Sequence, residues 1–362
     1  MPNFDIVREV KPKKTFRVAS VMGTFDLETE NIIEHFKGNI ALPNEWSVGL
    51  IVGNSGTGKT TIAKELFPNA YITNFEYTHE TILDDMPSNR SVDEITKAFN
   101  AVGFSSPPSW LKPYQVLSNG EKMRCDLARA ILSDDELFVF DEFTSVVDRN
   151  VAKIGSFAMQ KAIRKQPNKK MIAVTCHFDV EDWLLPDWVF NTNDMTFHLC
   201  DAQKKNRPDI RLDIYEVKKN KDDVWKLFAK YHYLSHYHNK AAHVYVCLAN
   251  GELAGFCSIL TYPHPKLKNA RKEHRVVVLP DYQGVGIGRH MTDAIAQMYK
   301  DKGYTYLCTS SAPAFIHSRS KSPKWIVTRK LSRTQGGSAT AKIQNKKNTA
   351  CRRLTVSFKY RG

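Results

Sequence analysis

The sequence lacks the features of secreted and membrane proteins. Its seven cysteines are an odd number, are scattered along the chain, and include no CxxC pair. This pattern disfavours a zinc ribbon and predicts reduced thiols. No apolar run approaches the roughly 20 residues that a membrane helix needs. The first residues, MPNFDIVREVKPKK, carry charge without the apolar core of a secretory signal. We therefore expect a cytoplasmic protein with no membrane partner.

Acidic residues are missing from the end of the chain. After Asp301 there is no Asp or Glu, while 14 Lys or Arg remain. Residues 1–202 hold 21 Lys and Arg against 28 Asp and Glu, whereas residues 203–362 hold 31 against 10. A single charged run is usually a solvated face, but a whole region of one sign indicates a polyanionic partner, foremost nucleic acid.

The length and the change of charge predict two domains. The chain has 362 residues, of which 42% are hydrophobic and 25% charged, as in globular proteins. The polar stretch 200–208 (CDAQKKNRP) is typical of a linker. We predict an α/β protein with an N-terminal domain over 1–202 and an α+β domain over 203–362. Residues 332–348, rich in Gly, Ser, Thr and Lys, are typical of a mobile basic loop.

A phosphate-binding loop follows the first strongly apolar segment. Residues 48–52 (VGLIV) predict a buried strand, and the pattern GNSGTGKT leads from it into a helical stretch. This is the strand–loop–helix context of the Walker A motif, in which backbone N–H groups and a lysine hold the phosphates of ATP. The residues that we assign to ATP are Gly53, Asn54, Ser55, Gly56, Thr57, Gly58, Lys59, Thr60 and Thr61.

Two carboxylates follow a second apolar strand. Residues 137–140 (LFVF) end at Asp141 and Glu142, and ligands of open α/β sheets bind at such strand ends. We expect Asp141 and the Thr60 hydroxyl to hold Mg²⁺, and Glu142 to orient the attacking water.

The segment between these motifs resembles the signature of the ABC ATPase family. It reads LSNGEK over 117–122, and a helical stretch follows it. The resemblance implies that Ser118 and Gly120 contact the γ-phosphate of ATP in a partner subunit, so that ATP induces a homodimer. It also assigns Asp148 to the D-loop and His177, after the strand 171–175, to the γ-phosphate. Two features depart from the family: Asn119 replaces a glycine, which a positive φ at that position would allow, and 71–85 offers no Q-loop glutamine.

A second loop rich in glycine lies in the basic half. Residues 275–279 (RVVVL) predict a strand, and QGVGIG leads from it into a helix. A Rossmann fingerprint would begin with glycine and need an acid about 20 residues on, but that region reads GYTYLCTSS. The segment resembles the pyrophosphate loop of GNAT acyltransferases, which implies acetyl-CoA or another acyl-CoA as cofactor. The implied binding residues are Leu279, Gln283, Gly284, Val285, Gly286, Ile287, Gly288 and Arg289.

The rest of the basic half is similar to a subgroup of GNAT proteins from phages and mobile elements, related to the Mom DNA-modifying protein. The similarity rests on YHYLS (231–235), the segment around QGVGIG, SPKW (322–325) and the terminal RRLTVSFKYRG. It implies a GNAT fold over about 210–362, with a helix over 222–233. The implied strands cover 212–217, 242–249, 254–261, 304–309 and 353–360.

Catalytic residues are harder to assign from sequence. Acyl transfer to an amine needs a base and an acid for the leaving thiolate, and the candidates are His232, Tyr233, His274 and Ser311. The histidines at 232, 236, 238 and 243 allow a metal site as an alternative, although their spacings match no standard ligand set. Three functions remain: modification of DNA bases, which we favour, modification of tRNA or aminoacyl-tRNA, and a GNAT fold that binds DNA without catalysis.

Overall fold

The computed structural model describes all residues except 1–2, 11–12, 14, 27–31, 73–74, 146, 201–207, 234–235, 265–266 and 334–352. Most of the predicted linker and basic loop therefore lies outside the described residues. The chain divides into two compact units: a first unit of residues 1–76 and 129–208, and a second unit of residues 77–128 and 209–362. None of the described helices is long and apolar enough to cross a membrane.

The helices and strands are as follows in chain order. Up to residue 132 they are β1 (Asn3–Val10), α1 (Phe16–Phe25), β2 (Ile32–Asn39), β3 (Val48–Val52), α2 (Lys59–Leu66), α3 (Val92–Ala101), α4 (Pro107–Trp110) and α5 (Asn119–Leu132). Up to residue 199 they are β4 (Leu137–Phe140), α6 (Arg149–Ile163), β5 (Lys170–Thr175), α7 (Glu181–Leu184), β6 (Trp188–Asn191) and β7 (Thr196–Leu199). The remainder are β8 (Leu212–Val217), α8 (Lys221–Ala229), β9 (His243–Ala249), β10 (Glu252–Thr261), β11 (Ala270–Val278), α9 (Ile287–Asp301), β12 (Thr305–Ser310), α10 (Pro313–Ser320), β13 (Trp325–Arg333) and β14 (Leu354–Tyr360).

The first unit is built on a five-stranded sheet of order β4-β5-β3-β6-β7. The first four strands are parallel, and β7 runs antiparallel to β6. All five residues of the central strand β3 are buried, as the uninterrupted apolar run predicts for a parallel strand covered on both faces. The carboxyl ends of the parallel strands meet at one edge, where the loops after β3, β4, β5 and β6 come together.

The second unit contains a seven-stranded sheet of order β13-β14-β12-β11-β10-β9-β8. All neighbouring strands are antiparallel except β11 and β12. That parallel pair is joined only from Ala270–Lys272 to Thr305–Leu307, and the two strands diverge beyond it. The splay between them, at the carboxyl end of β11, opens beside the loop that precedes α9.

Most predicted elements of the basic half are confirmed. The strand over 212–217 has the predicted bounds, and Asn250 and Gly251, with φ of 51° and 90°, form the predicted hairpin turn. The predicted helix over 222–233 is too long, because α8 ends at Ala229 and the amide groups of Tyr231 and His232 bond back in turns. The strand β13 was not predicted, since it lies at the edge of the sheet and most of its residues are exposed.

Candidate nucleotide and acyl-CoA sites

The Walker A segment forms a loop that opens onto the N-terminus of α2. Gly56 and Gly58 have φ of 84° and 79°, a region that favours glycine. Gly58 is the N-cap of α2, and no side chain caps the first turn. The amide groups of that turn are therefore suited to an anion, which the positive end of the helix dipole favours.

Side chains of the two residues that follow β6 support this loop. The Asn193 Oδ1 accepts a hydrogen bond from the Asn54 amide at 2.8 Å, and the hydroxyls of Thr57 and Thr192 lie 2.6 Å apart. A Cβ on Gly53 would lie 2.1 Å from the Thr192 Oγ1, so that position admits no side chain without a shift. Sequence reasoning missed Thr192 and Asn193, because no motif contains them. Their role depends on the pairing of β6 with β3.

The lysine and threonine of the motif have distinct partners. The Lys59 Nζ donates to the Asn54 carbonyl at 2.5 Å, which keeps it against the loop. The Thr60 hydroxyl donates to the Asp141 Oδ2 at 2.8 Å. These two oxygens fit Mg²⁺, which prefers hard oxygen ligands. The Tyr71 hydroxyl also donates to the Asp141 Oδ2. Burial and then Asp141 raise the pKa of Tyr71, so it stays protonated.

Glu142 lies in a strained turn directly after this carboxylate. Its φ is 50°, and that of Thr144 is 69°, a region that non-glycine residues seldom adopt and that clusters at functional sites. The Glu142 amide donates to the Asp141 Oδ1 at 2.8 Å, and the Glu142 side chain is exposed. The strain thus directs one acid inward to the threonine and leaves the other accessible.

His177 and Asp148 occupy the neighbouring loops. The His177 Nδ1 lies 3.3 Å from the Thr144 hydroxyl. Burial and then Arg149 lower the pKa of His177, so the ring is neutral near pH 7. The Asp148 carboxylate accepts from the Asn150 amide at 2.8 Å and caps α6. Asp148 therefore has a local structural role whether or not it contacts nucleotide.

The signature segment forms the start of α5. The Ser118 hydroxyl accepts from the Glu121 amide at 3.3 Å, and the Glu121 carboxylate accepts from the Ser118 amide at 3.0 Å, which is a capping box. Ser118 keeps its own O–H for another acceptor. Asn119 begins the helix and does not have a positive φ, so it does not adopt the left-handed conformation that would have allowed asparagine in place of glycine.

In the second unit, the QGVGIG loop has the same backbone geometry as the Walker A loop. Gly284 and Gly286 have φ of 86° and 98°, and Gly286 is the N-cap of α9, again without a side-chain cap. A Cβ on Gly288 would lie 3.1 Å from Phe315 and from Val278, which keeps this position small. Leu279 extends the sheet, since its amide donates to the Ala254 carbonyl at 2.9 Å. Ile287 is buried, whereas Arg289 is exposed and Val285 partly exposed.

The Gln283 side chain supports the loop. Its Oε1 accepts from the Ser105 amide at 2.7 Å, and its Nε2 donates to the Val278 carbonyl at 2.8 Å. Both ends of the amide are therefore used within the protein. A diphosphate in this loop would be held by the amide groups of residues 284–288 and by the start of α9.

Two of the catalytic candidates, 78 positions apart in sequence, meet at the end of β12. The Ser311 Oγ donates to the Tyr233 hydroxyl oxygen at 3.0 Å. The Arg353 guanidinium lies 5.9 Å from the centre of the Tyr233 ring. Because the tyrosine oxygen accepts in this contact, its own proton is available to another group.

The two histidine candidates are neutral at physiological pH. Burial, and then Arg275 and His274, lower the pKa of His232 to about 3. Burial, and then Arg275 and His238, lower the pKa of His274 to about 4. The His232 ring stacks on Tyr233 at 5.1 Å and packs edge-on to Trp225 at 5.7 Å. His232 thereby positions Tyr233, while its low pKa makes it a weak base.

A buried ion pair supports the point where β11 and β12 diverge. The Arg319 guanidinium bonds both oxygens of Glu273 at 2.8 and 2.9 Å, and its Nη2 donates to the Thr292 hydroxyl at 3.0 Å. Its central carbon lies 4.2 Å from the Trp325 ring. The pair thus connects α9, α10, β11 and β13 around the splay. No sequence spacing links Glu273 to Arg319.

Among the described residues, the histidines of 231–243 form no group that could hold a metal ion. Within the described part of the chain, one group of three potential ligands has atoms within 4.8 Å of one another, and it consists of Glu181, His198 and Cys200. His198 is exposed. The sequence did not single out these three residues, which come from α7, β7 and the position after β7.

Comparison with known families matches the second unit. Residues 208–315 match the model of the acetyltransferase (GNAT) family, which covers the segment from β8 to the start of α10. Comparison with curated proteins finds no match.

Solved structures resemble each half of the chain. A bacterial ABC transporter cassette, solved as a dimer, is 14% identical with a TM-score of 0.37, over 52% of this chain and 92% of the cassette. The ribosomal-protein-S18-alanine N-acetyltransferase of Escherichia coli is 13% identical with a TM-score of 0.31, over 41% and 92%. An IAA acetyltransferase of Bacillus cereus is 13% identical with a TM-score of 0.30, over 41% and 98%.

Proposed function

We propose that this chain, which joins an ABC-type ATPase fold to a GNAT domain, transfers an acyl group from acyl-CoA to nucleic acid under the control of ATP. DNA is the acceptor that we favour. The first unit binds ATP with Mg²⁺, held by Thr60 and Asp141, and Glu142 orients the water that hydrolyses it. A homodimer that forms on ATP would position the acceptor.

A group of basic residues beside the Tyr233–Ser311 pair supports the proposal that the acceptor is a nucleic acid. Arg333 pairs with Leu354 across β13 and β14, and Ser310 pairs with Val356 across β12 and β14. Arg333, Arg353 and Ser311 therefore lie at the same end of the sheet. β13 is an edge strand that also exposes Arg329 and Lys330. Such a surface suits a phosphate backbone, and its affinity falls with salt.

The geometry at the splay supports transfer to an amine. Acyl-CoA supplies the acyl group. The nitrogen of the acceptor bonds to the thioester carbonyl carbon, and the carbon–sulfur bond breaks as the thiolate leaves. Tyr233 donates its proton to that thiolate, because Ser311 already occupies its oxygen as a donor. A water takes the proton that the nitrogen loses, because a pKa lowered to about 4 makes His274 a weak base.

Nucleoside mass spectrometry tests the proposal. DNA and tRNA would be isolated from cells that express the unaltered protein, the Gly286→Asp variant or the Lys59→Ala variant, and would then be digested to nucleosides. The controls are Gly303→Asp, which has a similar positive φ of 79° with open space at its Cβ, and the exposed Lys165→Ala. A new mass in DNA that disappears with Gly286→Asp and persists with Gly303→Asp supports the proposal. If the new mass also disappears with Lys59→Ala, the transfer depends on ATP.

The other outcomes contradict it in different ways. A new mass only in tRNA would make tRNA the acceptor. No new mass in either pool, with soluble protein and measurable ATP hydrolysis, would favour a GNAT fold that binds nucleic acid without modifying it.

Removal of the tyrosine hydroxyl tests the acid. We expect Tyr233→Phe to lower kcat for acetyl transfer to DNA by about 100-fold, the lower end for general acid catalysis, with KM for acetyl-CoA nearly unchanged. Tyr215→Phe, at an exposed position on β8, is the control. Equal kcat values in the two variants would exclude Tyr233 as the acid.

A further inference from the structure

A buried arginine connects the signature segment to the acyl-CoA loop. Arg124 lies on α5, one turn after Gly120, and its side chain is fully buried. Its Nη2 donates to the Asp281 carbonyl at 2.9 Å, and its Nη1 lies 3.5 Å from both the Gly120 carbonyl and the Asp281 Oδ1. Arg124 thus contacts the turn 280–282, which leads directly into the loop of Gln283.

A second contact joins the same two segments. The Ser105 amide donates to the Gln283 Oε1 at 2.7 Å. The backbone of Gly103, with φ of 80°, comes so close that a Cβ there would lie 2.6 Å from the Gln283 carbonyl oxygen. Segment 77–128, which carries the signature, therefore packs on the start of the acyl-CoA loop at two places. The loop cannot shift without a change at α5 or at 103–105.

These contacts are independent of the chemistry at either site. Neither Arg124 nor Asp281 belongs to the Walker motifs or to the Tyr233–Ser311 pair. A fully buried guanidinium is costly to keep unless its bonds are retained, so movement of α5 has to carry the turn 280–282 along with it. These contacts form a continuous packed connection, which is one physical route for coupling between two sites.

We propose that Arg124 is a positioning residue through which ATP at the signature motif raises the affinity of the 283–289 loop for acyl-CoA. The inference rests on the proposed function, in which Ser118 and Gly120 contact ATP. Once ATP holds the first turn of α5, Arg124 and the turn 280–282 are held as well. A loop that is already ordered pays less entropy when it binds a diphosphate. Reciprocity requires acyl-CoA to raise the affinity for ATP by the same factor.

Calorimetric titration of CoA tests the coupling. The full chain would carry Glu142→Gln, so that ATP persists, and the Kd of CoA would be measured with and without ATP and Mg²⁺. We expect ATP to lower this Kd at least about fivefold, the lower end for allosteric coupling. CoA should lower the Kd of ATP equally. With Arg124→Met added, each ligand still binds in the absence of the other. The ratio of the Kd of CoA without ATP to its Kd with ATP then falls to about one.

Further variants separate a positioning role from a structural one. Arg129→Met, on the same helix, serves as the matched control and should keep the full ratio. Arg124→Lys retains the charge but loses the forked geometry, and we expect it to restore part of the ratio. If Arg124→Met does not fold, Asp281→Asn removes the half-exposed carboxylate and lowers the ratio without a buried change.

The titrations also distinguish failure of the coupling from failure of the proposed function. If CoA does not bind in any state, the acyltransferase function itself is wrong. If ATP and CoA both bind but ATP leaves the Kd of CoA unchanged or raises it, the coupling is wrong and the function stands. If Arg124→Met and Arg129→Met lower the ratio equally, Arg124 is not the link.

Discussion

The two glycine-rich loops use the same backbone device for different chemistry. Each places two glycines at positive φ directly before a helix whose first turn has no side-chain cap. They differ in the side chains around them. The first loop leads into Lys59 and Thr60, and Asp141 and Glu142 follow the strand β4. Residues 283–289 instead contain no acid and one exposed arginine.

The difference separates binding of a phosphate from chemistry on it. Backbone amides and a helix dipole suffice to hold a diphosphate. Under the proposed function the second loop needs nothing more, because the reacting carbonyl of acyl-CoA lies away from its phosphates. Hydrolysis of ATP changes the charge on the phosphate itself. It therefore needs a metal at the developing charge and a carboxylate that orients the attacking water.

The strongest way to break this comparison is to remove the acid from the first loop alone. We expect Glu142→Gln to lower ATP hydrolysis by about 100-fold or more, because it removes the group that orients and polarises water. ATP and CoA binding should both persist. Phosphate release would be measured beside Glu136→Gln, an exposed glutamate before β4. Equal rates in the two variants would show that Glu142 does not act on the water.

A change in the second loop should act through the backbone. Gly286→Asp places a carboxylate at a φ of 98°, where a side chain costs about 1–3 kcal/mol, and its charge repels a diphosphate. We expect the Kd of CoA to rise at least about tenfold, with ATP hydrolysis retained. Gly303→Asp carries similar backbone strain and should bind CoA normally. If both variants bind CoA equally well, the 283–289 loop is not the diphosphate site.

The proposed Mg²⁺ site of the first loop offers a sharper distinction. Tyr71 bonds the Asp141 carboxylate and so orients it. Loss of such a partner typically costs 10–100-fold in metal affinity. We expect Tyr71→Phe to raise the Mg²⁺ concentration for half-maximal ATP hydrolysis by about tenfold. The Kd of CoA measured without ATP should not change. An unaltered Mg²⁺ requirement would assign Tyr71 to packing.

The smallest expected effect concerns pH. The pKa of His232 is about 3 in the folded chain, below its ordinary value of about 6.5. The unfolded chain takes up a proton below pH 6.5 while the folded chain does not, so stability is lost as the pH falls from 6.5 towards 3. At pH 5 this loss amounts to about 1–2 kcal/mol.

Thermal or urea unfolding at pH 7 and pH 5 measures this loss. His232→Gln should show a smaller drop in stability between the two pH values than the unaltered chain. His317→Gln, at an exposed histidine on α10, should show the full drop. The same drop in all three proteins would show that His232 does not titrate as its burial requires.

The sequence predicts those parts of the two sites that depend on local geometry. Apolar runs predicted β3, β4 and β5, because a strand buried on both faces needs an unbroken run. Both glycine loops were recognised because positive φ and close phosphate approach restrict the residue type. Tyr71, Thr192 and Asn193 were missed, since their roles depend on which strands become neighbours. The sequence left the φ of Asn119 open, and the capping box of Ser118 and Glu121 places this residue in the first turn of the helix.

The sequence by itself determined the two glycine-rich loops, the acids after β4 and the basic balance of the second half. Each of these is written in consecutive residues or in composition, where backbone rules act directly. Only the tertiary structure decided which distant side chains meet. It joined Tyr233 to Ser311, Glu273 to Arg319, and Arg124 to Asp281, because strand register and the buried placement of charges are set by the whole fold.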